Sequence, residues 1–321
     1  MKIVQGIAAV DEDVVGSVLT VGTFDGIHRG HQAIIERTCE RAKTLSVPCV
    51  MITFAPHPQA LLTPATAPLL LTTTEERADL VREFGISAMA VLPFDEILAA
   101  MEPEAFVRDI LVGTFSGREV VVGEDHRFGR GRRGDRHTLA RLGRQFGFSV
   151  VAVPPVRWRG RPISSTRIRR AILAAKLREA ARMLGRWYSF RGHVLRGESR
   201  GRTLDYPTAN LEVKSPSVLL PPDGVYAVLA RIDGGTFRGM MNIGTRPTFG
   251  SGSRTVEVHL LDFVGDIYDL TMEVQCLDRL RDEKAFDRKE DLRMQISRDE
   301  LEVRRLFDRV DRQGCCHQLR G

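Results

Sequence analysis

Short apolar runs alternate with amphipathic segments along the first half of the chain. The runs are rich in β-branched residues, which favour strands. The predicted strands are 17–24, 48–54, 89–94, 120–123 and 148–153. Apolar positions three or four residues apart predict helices over 31–45, after Thr73, after Pro103 and around 139–146. Strands that alternate with helices in this way predict an α/β fold with a parallel, doubly wound sheet.

The second half has a different pattern, in which apolar runs are joined by Gly and Asp turns. Runs at 225–232 and 236–243 flank Asp233-Gly234-Gly235 and predict a hairpin, and 255–263 with 267–277 predict another. Residues 288–310 form an amphipathic helical pattern at the end. This half therefore predicts a small antiparallel β-barrel with a terminal helix. The predicted domains are 1–185 and 186–321.

Composition and charge narrow the class of protein. Of the 321 residues, 43% are hydrophobic and 27% charged, which is typical of a soluble globular protein. No apolar run has the length of a membrane span, and the start lacks a signal-peptide pattern, so we expect a cytoplasmic protein without a membrane partner. The five cysteines include no Cys-x-x-Cys pair, which disfavours a disulfide framework or a zinc ribbon.

The net charge of +6 raises the alternative of a nucleic-acid-binding protein. The basic residues are mixed with acidic ones, and even the densest run, 127–136, contains three glycines and Asp135. No basic stripe interleaved with aromatic residues is present, which is the pattern that single-stranded nucleic acids require. We therefore expect small phosphate-bearing ligands and no nucleic acid.

The turn 22–31, between the first predicted strand and helix, is the first candidate phosphate site. The N-terminus of a helix presents unpaired N–H groups and a positive dipole end to an anion. His28 and His31 add donors for phosphate oxygens, and a zinc pair would need a different spacing. The predicted phosphate-binding residues of this turn are Gly22, Phe24, Gly26, His28 and His31.

A second segment, 163–169, places small hydroxyls and a cation at another helix start. A Ser-Ser-Thr segment at a helix start usually supplies an ordinary N-cap. Because the histidine turn is present in the same chain, we favour a phosphate site at this segment instead. The turn resembles the His-x-Gly-His motif of the nucleotidyltransferase superfamily, and 163–169 resembles its partner motif. The predicted phosphate contacts are Ser164, Ser165, Thr166 and Arg169.

The barrel half contains the second candidate site. The segment 201–210 holds Thr208 and Asn210, whose oxygens are hard ligands suited to Mg²⁺. Strand alternation puts Glu257 on the face opposite Val256 and Val258, where its carboxylate can take a proton from an alcohol that attacks ATP. Gly201, which opens this segment, is also predicted to contact phosphate.

Nearly the whole chain resembles the prokaryotic bifunctional riboflavin kinase/FMN adenylyltransferase family, also called FAD synthetase. Besides the two motif sets, the resemblance rests on further segments in the same order across both halves. These are 53–58, 122–125, 127–129, 184–186, 224–226, 261–263, 295–296 and Asp299. The resemblance implies a Rossmann-like nucleotidyltransferase domain followed by a riboflavin kinase barrel.

The resemblance also implies two ATP-dependent reactions. The barrel would phosphorylate riboflavin to FMN with Mg²⁺, with Thr208 and Asn210 at metal and phosphate positions and Glu257 as the base. The first domain would transfer AMP from ATP to FMN, giving FAD and pyrophosphate, with Asp125 near the nucleotide. Its implied flavin-lining residues are Phe54, His57 and Phe128.

Three positions depart from the family pattern. Asp205 and Asp269 each replace a glycine in the barrel half, and His126 replaces an aromatic residue. Asp205 restricts the backbone and adds negative charge near phosphates, which weakens the kinase prediction. Two alternatives follow: an FMN adenylyltransferase with a degenerate, flavin-binding kinase module, or a transferase for another substrate with a regulatory barrel.

Overall fold

The computed structural model describes residues 1–196, 206–213, 215–245 and 254–312 of the chain. By their internal contacts the residues divide into two units, Met1–Ser165 and Thr166–Gly321. This division falls between Ser165 and Thr166, whereas the sequence predicts a boundary after residue 185. The boundary after residue 185 stays a prediction.

The first unit is built on a parallel sheet. Its strands are β1 (Lys2–Gln5), β2 (Val18–Val21), β3 (Cys49–Ala55), β4 (Ala88–Pro93), β5 (Glu119–Gly123), β6 (Arg127–Phe128), β7 (Gly134–Asp135), β8 (Ser149–Val153), β9 (Arg157–Trp158) and β10 (Arg161–Pro162). Six of them pair in the order β1-β4-β3-β2-β5-β8, all parallel, while β6 pairs with β7 and β9 with β10. The predicted parallel sheet is confirmed, with β1 as an additional edge strand.

Helices follow the strands as the alternation predicts. They are α1 (Arg29–Leu45), α2 (Pro58–Leu62), α3 (Thr74–Arg82), α4 (Glu96–Ala100), α5 (Pro103–Ala105), which continues as a π-helix over Phe106–Thr114, and α6 (Arg136–Phe146). Short 3-10 turns occupy Ile7–Ala9, Glu12–Val14, Pro64–Thr66 and Arg130–Arg132. Thr73 and Glu76 form a capping box at the start of α3, the helix predicted after Thr73.

The central strands are buried on both faces, which explains their continuous apolar runs. Val18 and Met51 pack into one core with Ile35 of α1, and Leu19 and Ile52 pack into the core on the other face. Successive side chains of a strand point to opposite faces, so the two cores sandwich the sheet.

The sheet order reverses direction at β2, whose neighbours are β3 on one side and β5 on the other. Ligands of doubly wound sheets bind beyond the carboxyl ends of the strands at such a switch point. The turn 22–28 follows β2 and the turn 123–126 follows β5. The predicted histidine turn and the implied nucleotide contact Asp125 therefore both lie at this position.

The second unit contains the predicted antiparallel barrel. Its elements are α7 (Ser165–Leu173), α8 (Leu177–Leu184), β11 (Tyr188–Leu195), β12 (Ala209–Glu212), β13 (Gly224–Ile232), β14 (Gly235–Thr245), β15 (Arg254–Leu260), β16 (Thr271–Arg281) and α9 (Lys289–Arg312). The strands close in the order β11-β12-β15-β14-β13-β16. The terminal helix α9 buries Val303, Leu306 and Phe307 against barrel residues Ala227 and Leu277. The predicted barrel and terminal helix are confirmed.

One of the two predicted hairpins is wrong. β13 and β14 form the first, around Asp233 and Gly234, whose φ angles of 45° and 78° are typical of a type I′ turn. β15 and β16 do not pair with each other: β15 lies between β12 and β14, and β16 lies between β11 and β13. The connection 261–270 is longer than a tight turn, and closure of the barrel gives each strand other partners.

In the part of the chain that the structure describes, no helix combines the length and apolar character needed to cross a bilayer.

Two candidate active sites

His28 ends the turn after β2 and caps α1. Its Nδ1 accepts the backbone N–H of His31 at 3.2 Å, so the neutral imidazole has its proton on Nε2. A neutral histidine in this role keeps its Nε2–H as its remaining donor. The arrangement suits an anion at the start of α1.

The two histidine rings are stacked, with centroids 3.6 Å apart and an interplanar angle of 16°. Burial, followed by the charges of His28 and Arg77, holds the pKa of His31 well below its ordinary value. His31 is therefore neutral at pH 7. Its buried Nδ1 has no hydrogen-bond partner among the described residues, which is unusual for a buried polar atom.

The turn itself is fixed by a buried carboxylate. Asp25, 2% exposed, accepts the backbone N–H groups of Leu71 and Thr72 at 3.0 and 3.1 Å. Gly26 donates its N–H to the Thr72 hydroxyl, and its φ of 85° and the Leu71 side chain leave no room for a Cβ. Ile27 follows with a φ of 37°, a strained conformation for a β-branched residue. The turn therefore requires glycine at position 26, and the contact of Gly26 with phosphate stays a prediction.

Arg77 of α3 is a buried residue of this turn that the sequence analysis missed. One of its nitrogens, Nη1, donates to the carbonyl of Thr23 and to the hydroxyl of Thr53, both at 2.7 Å. Burial lowers the pKa of Arg77 from its ordinary value, although the guanidinium stays charged. The sequence signal for a buried Arg77 was its position directly after Glu76 of the capping box and directly before the apolar Ala78, which is also buried.

The second motif reaches the first turn through one hydrogen bond. Ser165 donates from Oγ to the carbonyl oxygen of Asp25 at 2.8 Å. Its single hydroxyl proton is used there, so Ser165 fixes the turn in this structure. Ser164 is exposed in the first unit, whereas Thr166 and Arg169 lie on α7 in the second.

The turn after β5 holds the remaining predicted nucleotide contact. Asp125 is exposed, and the next residue, His126, donates its backbone N–H to the carbonyl of Gly123. Burial lowers the pKa of His126 to about 4, and its Nε2 has no partner among the described residues. The His126 ring stacks on Phe128 with centroids 5.7 Å apart. The aromatic residue that the family pattern implies at this position could make the same contact.

The remaining predicted residues of the first site differ in exposure. Phe24 is buried with its ring edge toward His31, and a Cβ on Gly22 would lie 3.3 Å from that ring. The implied flavin-lining residues are Phe54, half-buried against Phe94; His57, which caps α2; and Phe128, 8% exposed against Phe106. Their contact with a flavin stays a prediction.

The barrel site is a row of polar residues across three strands. Glu257 on β15 lies directly opposite Asn210 on β12 and opposite Asn242 on β14. Directly opposed residues of antiparallel strands point to the same face, so an acid stands between two amides. Val256 and Val258 are buried on the other face, as the strand alternation predicts. The sequence analysis gave Asn242 no role.

The approach to β12 is also held in place. Thr208 comes two residues before Asn210, and the carbonyl of the preceding Pro207 is 2.8 Å from Nδ1 of His259. Tyr206 packs its ring against His259 with centroids 5.2 Å apart. Gly201 and Asp205 lie outside the described residues.

Asp269 is the other barrel position where the family resemblance implies glycine. Its φ of 62° lies in the left-handed region, which aspartate adopts more readily than most residues. Its N–H donates to the carbonyl of Val194 at 3.0 Å. The turn therefore keeps the conformation that a glycine would favour.

A parallel sheet with a histidine pair at its switch point, followed by a closed barrel with an acid between two amides, defines a two-domain class of phosphate-transferring enzyme. Two family models match the chain in that order: FAD synthetase over residues 10–167 and riboflavin kinase over 184–307.

The curated relatives span nearly the whole chain. A bifunctional riboflavin kinase/FMN adenylyltransferase from Pseudomonas fluorescens is 40% identical over 307 residues, covering 95% of this chain and 98% of the relative. One of the same name from Escherichia coli strain K12 is 35% identical over 309 residues, covering 96% and 98%. The chain belongs to the family of bifunctional riboflavin kinase/FMN adenylyltransferases.

One solved structure matches the whole fold. A crystal structure described as a macrolide-efflux protein from Streptococcus pneumoniae has a TM-score of 0.85 at 32% identity, covering 95% of this chain and 99% of that one. The match supports the architecture of a parallel-sheet domain followed by a barrel.

Proposed function

We propose that the chain makes FAD from riboflavin in two reactions at separate sites. The barrel transfers the γ-phosphate of ATP to riboflavin, giving FMN and ADP. The parallel-sheet domain then transfers AMP from ATP to FMN, giving FAD and pyrophosphate. The observation that carries this conclusion is the match of both family models, in order, to the two units that contain the candidate sites.

In the kinase reaction, Glu257 acts as the general base. Its carboxylate takes the proton of the riboflavin 5′-hydroxyl as that oxygen attacks the γ-phosphorus of ATP, and ADP leaves. Asn210 and Asn242 on the neighbouring strands orient this carboxylate, because both lie opposite Glu257. The half-buried position of Glu257 leaves it within reach of a substrate.

The donor set next to Glu257 fits Mg²⁺. The hydroxyl of Thr208 and the amide oxygen of Asn210 are hard neutral ligands, which Mg²⁺ accepts together with phosphate oxygens and water. When bound, the ion neutralises charge on the ATP phosphates. Pro207 stiffens the backbone that presents both ligands.

In the adenylyl transfer, an oxygen of the FMN phosphate attacks the α-phosphorus of ATP and pyrophosphate leaves. No covalent enzyme intermediate is needed, so catalysis rests on positioning and on stabilising negative charge. The Nε2–H of His28 and the first N–H groups of α1 are the donors that meet the triphosphate. His31 lies against His28 and adds a second imidazole.

The remaining predicted contacts complete the nucleotide site in this proposal. Ser164 binds ATP phosphates and Asp125 lies near the nucleoside, whereas phosphate contacts of Thr166 and Arg169 rest on the sequence resemblance alone. Ser165 contributes by holding the carbonyl of Asp25, and with it the histidine turn. ATP, riboflavin and FMN are the substrates of these reactions, and we place them and the protein in the cytoplasm.

The alternative is an adenylyltransferase whose kinase module only binds flavin. Asp205 still motivates it, whereas Asp269 no longer does, because its turn has the conformation of the glycine it replaces. The row of Asn210, Glu257 and Asn242 favours an active kinase, since a binding module would not need a base beside metal ligands.

A time course of flavin conversion tests the proposal. The full-length protein is incubated with riboflavin, ATP and Mg²⁺, and the flavins are separated by chromatography. We expect FMN to appear first and FAD to follow, with FMN as precursor. FAD formed only from added FMN would establish the alternative, and no product from either flavin would overturn both.

A further inference from the structure

Two buried cysteines of the first unit have their sulfur atoms next to each other. Cys39 lies in α1 and Cys49 is the first residue of β3, and their Sγ atoms are 2.8 Å apart. They are 6% and 3% exposed. The contact joins a helix to the amino end of a strand, whereas His28 lies beyond the carboxyl end of β2. The pair is therefore separate from the proposed adenylyl-transfer site.

A cavity gives small molecules a route to this pair. Its volume is about 320 Å³, and it is lined by Cys39, Lys43, Ser46, Cys49, Gly85 and Ser87. Both sulfur-bearing residues form part of its wall, so a compact reagent does not need to unfold the domain. Ser87 also accepts the backbone N–H of Cys49 at 3.1 Å, which fixes the start of β3.

The two thiols have unequal acidity. Hydrogen bonding by the Cys49 thiol and the positive charge of Lys43 lower the pKa of Cys39, against the effects of burial and of Glu36. The same contact raises the pKa of Cys49. Thiolates are the nucleophilic form of cysteine, so Cys39 is the sulfur that reacts first and Cys49 is the one that follows.

We propose that Cys39 and Cys49 are a reversible oxidation site, at which a hydroperoxide converts the two thiols to a disulfide. The Cys39 sulfur attacks the peroxide, its O–O bond breaks, and a sulfenic acid and water (or an alcohol) form. The Cys49 sulfur then attacks the sulfenic sulfur and a second water leaves with the thiol proton. The sulfur pair loses two electrons and the peroxide gains them; a dithiol reductant reverses the change.

Cys276 serves as an internal control for the Cys39–Cys49 pair. Cys276 is buried in the barrel, where burial raises the pKa of its thiol, and no cysteine partner is recorded for it among the described residues. It should remain unmodified under conditions that oxidise the pair. Cys315 and Cys316 lie outside the described residues, so their products must be distinguished by peptide identity.

The test treats the folded full-length protein with hydrogen peroxide, blocks free thiols by alkylation, and maps peptides by mass spectrometry without reduction. We expect a cross-linked peptide pair containing Cys39 and Cys49, which dithiothreitol removes, while Cys276 stays a free thiol. Cys39→Ser and Cys49→Ser should each abolish the cross-link, and circular dichroism checks their folding.

The wild-type protein alone tests the proposal, even if the serine variants fail to fold. If Cys39 and Cys49 are recovered as alkylated thiols after peroxide treatment, or only as separate sulfinic and sulfonic acids, the proposal is wrong. The proposal is also wrong if the cross-link forms only in urea, because peroxide would then not reach the two thiols in the folded protein. Flavin synthesis is not the readout, so this outcome is independent of the proposed function.

Discussion

The hydroxyl of Ser165 donates a hydrogen bond to the carbonyl oxygen of Asp25, a residue 140 positions earlier in the chain. Asp25 in turn receives the N–H groups of Leu71 and Thr72. The histidine turn is therefore held by two distant parts of the first unit. Its geometry depends on residues that never need to touch a substrate.

Replacing Ser165 by alanine removes this bond and should loosen the turn. A typical hydrogen bond contributes about 1 kcal/mol, so we expect FMN adenylylation to fall by about five-fold to ten-fold in kcat. Riboflavin phosphorylation should be unchanged. Ser165→Thr keeps a hydroxyl and should restore part of the rate, whereas equal losses in both variants would contradict a positioning role. Steady-state kinetics of both reactions measure this.

Replacing both His28 and His31 by alanine removes the stacked pair. Loss of one preorganised donor to developing charge typically costs about 10²-fold to 10³-fold in kcat, and we expect at least that loss in FAD formation. FMN formation from riboflavin should continue. His137→Ala, at an exposed position, is the matched control. Retained FAD synthesis in the double variant would remove these histidines from the mechanism.

Glu257→Gln keeps the shape of the side chain and removes its basicity. We expect riboflavin phosphorylation to fall by about 10²-fold to 10⁴-fold, the usual contribution of a positioned base. Adenylylation of added FMN should remain at the wild-type rate. Glu212→Gln, exposed on β12, serves as the control. A variant that still makes FMN at the wild-type rate would show that the base lies elsewhere.

His126 makes stability depend on pH. Its pKa is about 4 in the folded protein, against an ordinary value of 6.5, so the unfolded chain binds the proton more readily. The stabilisation is fully present above pH 6.5 and is lost as pH falls toward 4.

His126→Phe should therefore reduce the difference in unfolding free energy between about pH 7 and about pH 4.5 by about 2 kcal/mol. Phenylalanine keeps the ring beside Phe128 and removes the titration. Urea unfolding of both proteins at the two pH values measures the change. His137→Phe, at an exposed position, is the control, and an equal effect of both substitutions would contradict the assignment.

Asp299 anchors α9 to the barrel. It is 4% exposed and accepts hydrogen bonds from the guanidinium of Arg281 and from Gln295. Asp299→Ala leaves a largely buried arginine without this partner and should cost about 3 kcal/mol.

The exposed pair of Arg238 and Asp311 provides the comparison. Asp311→Ala should cost less than about 0.5 kcal/mol, because exposed ion pairs contribute little. Urea unfolding of the two variants separates these cases. Similar losses in both would mean that burial does not set the strength of the Asp299 contact.

Local patterns predicted most of the architecture. The five runs at 17–24, 48–54, 89–94, 120–123 and 148–153 all became strands of one parallel sheet. The strand β1 escaped notice because only Val4 of its four residues is buried, which leaves no clear alternation. The false hairpin at 255–277 has a different cause, because turn residues do not reveal which strands a closing barrel will pair.

Two residues of the candidate sites were missed in the sequence because their roles depend on long-range contacts. An arginine on an amphipathic helix usually faces solvent, and the role of Arg77 appears only when α3 meets the carbonyl of Thr23. Asn242 became relevant only through the register that places it opposite Glu257. Motif residues such as His28 could be found earlier, because adjacent glycines and a helix start lie next to them in sequence.

The left-handed backbone of Ile27 has a consequence for protein engineering. A strained residue of this kind typically costs about 1–3 kcal/mol of folding free energy. Glycine would relieve that strain, but it would also remove a side chain that is 1% exposed in the core, and truncating a buried isoleucine costs about 2–5 kcal/mol. Laboratory evolution toward heat resistance should therefore keep isoleucine at position 27, because the buried side chain contributes more than the backbone conformation costs.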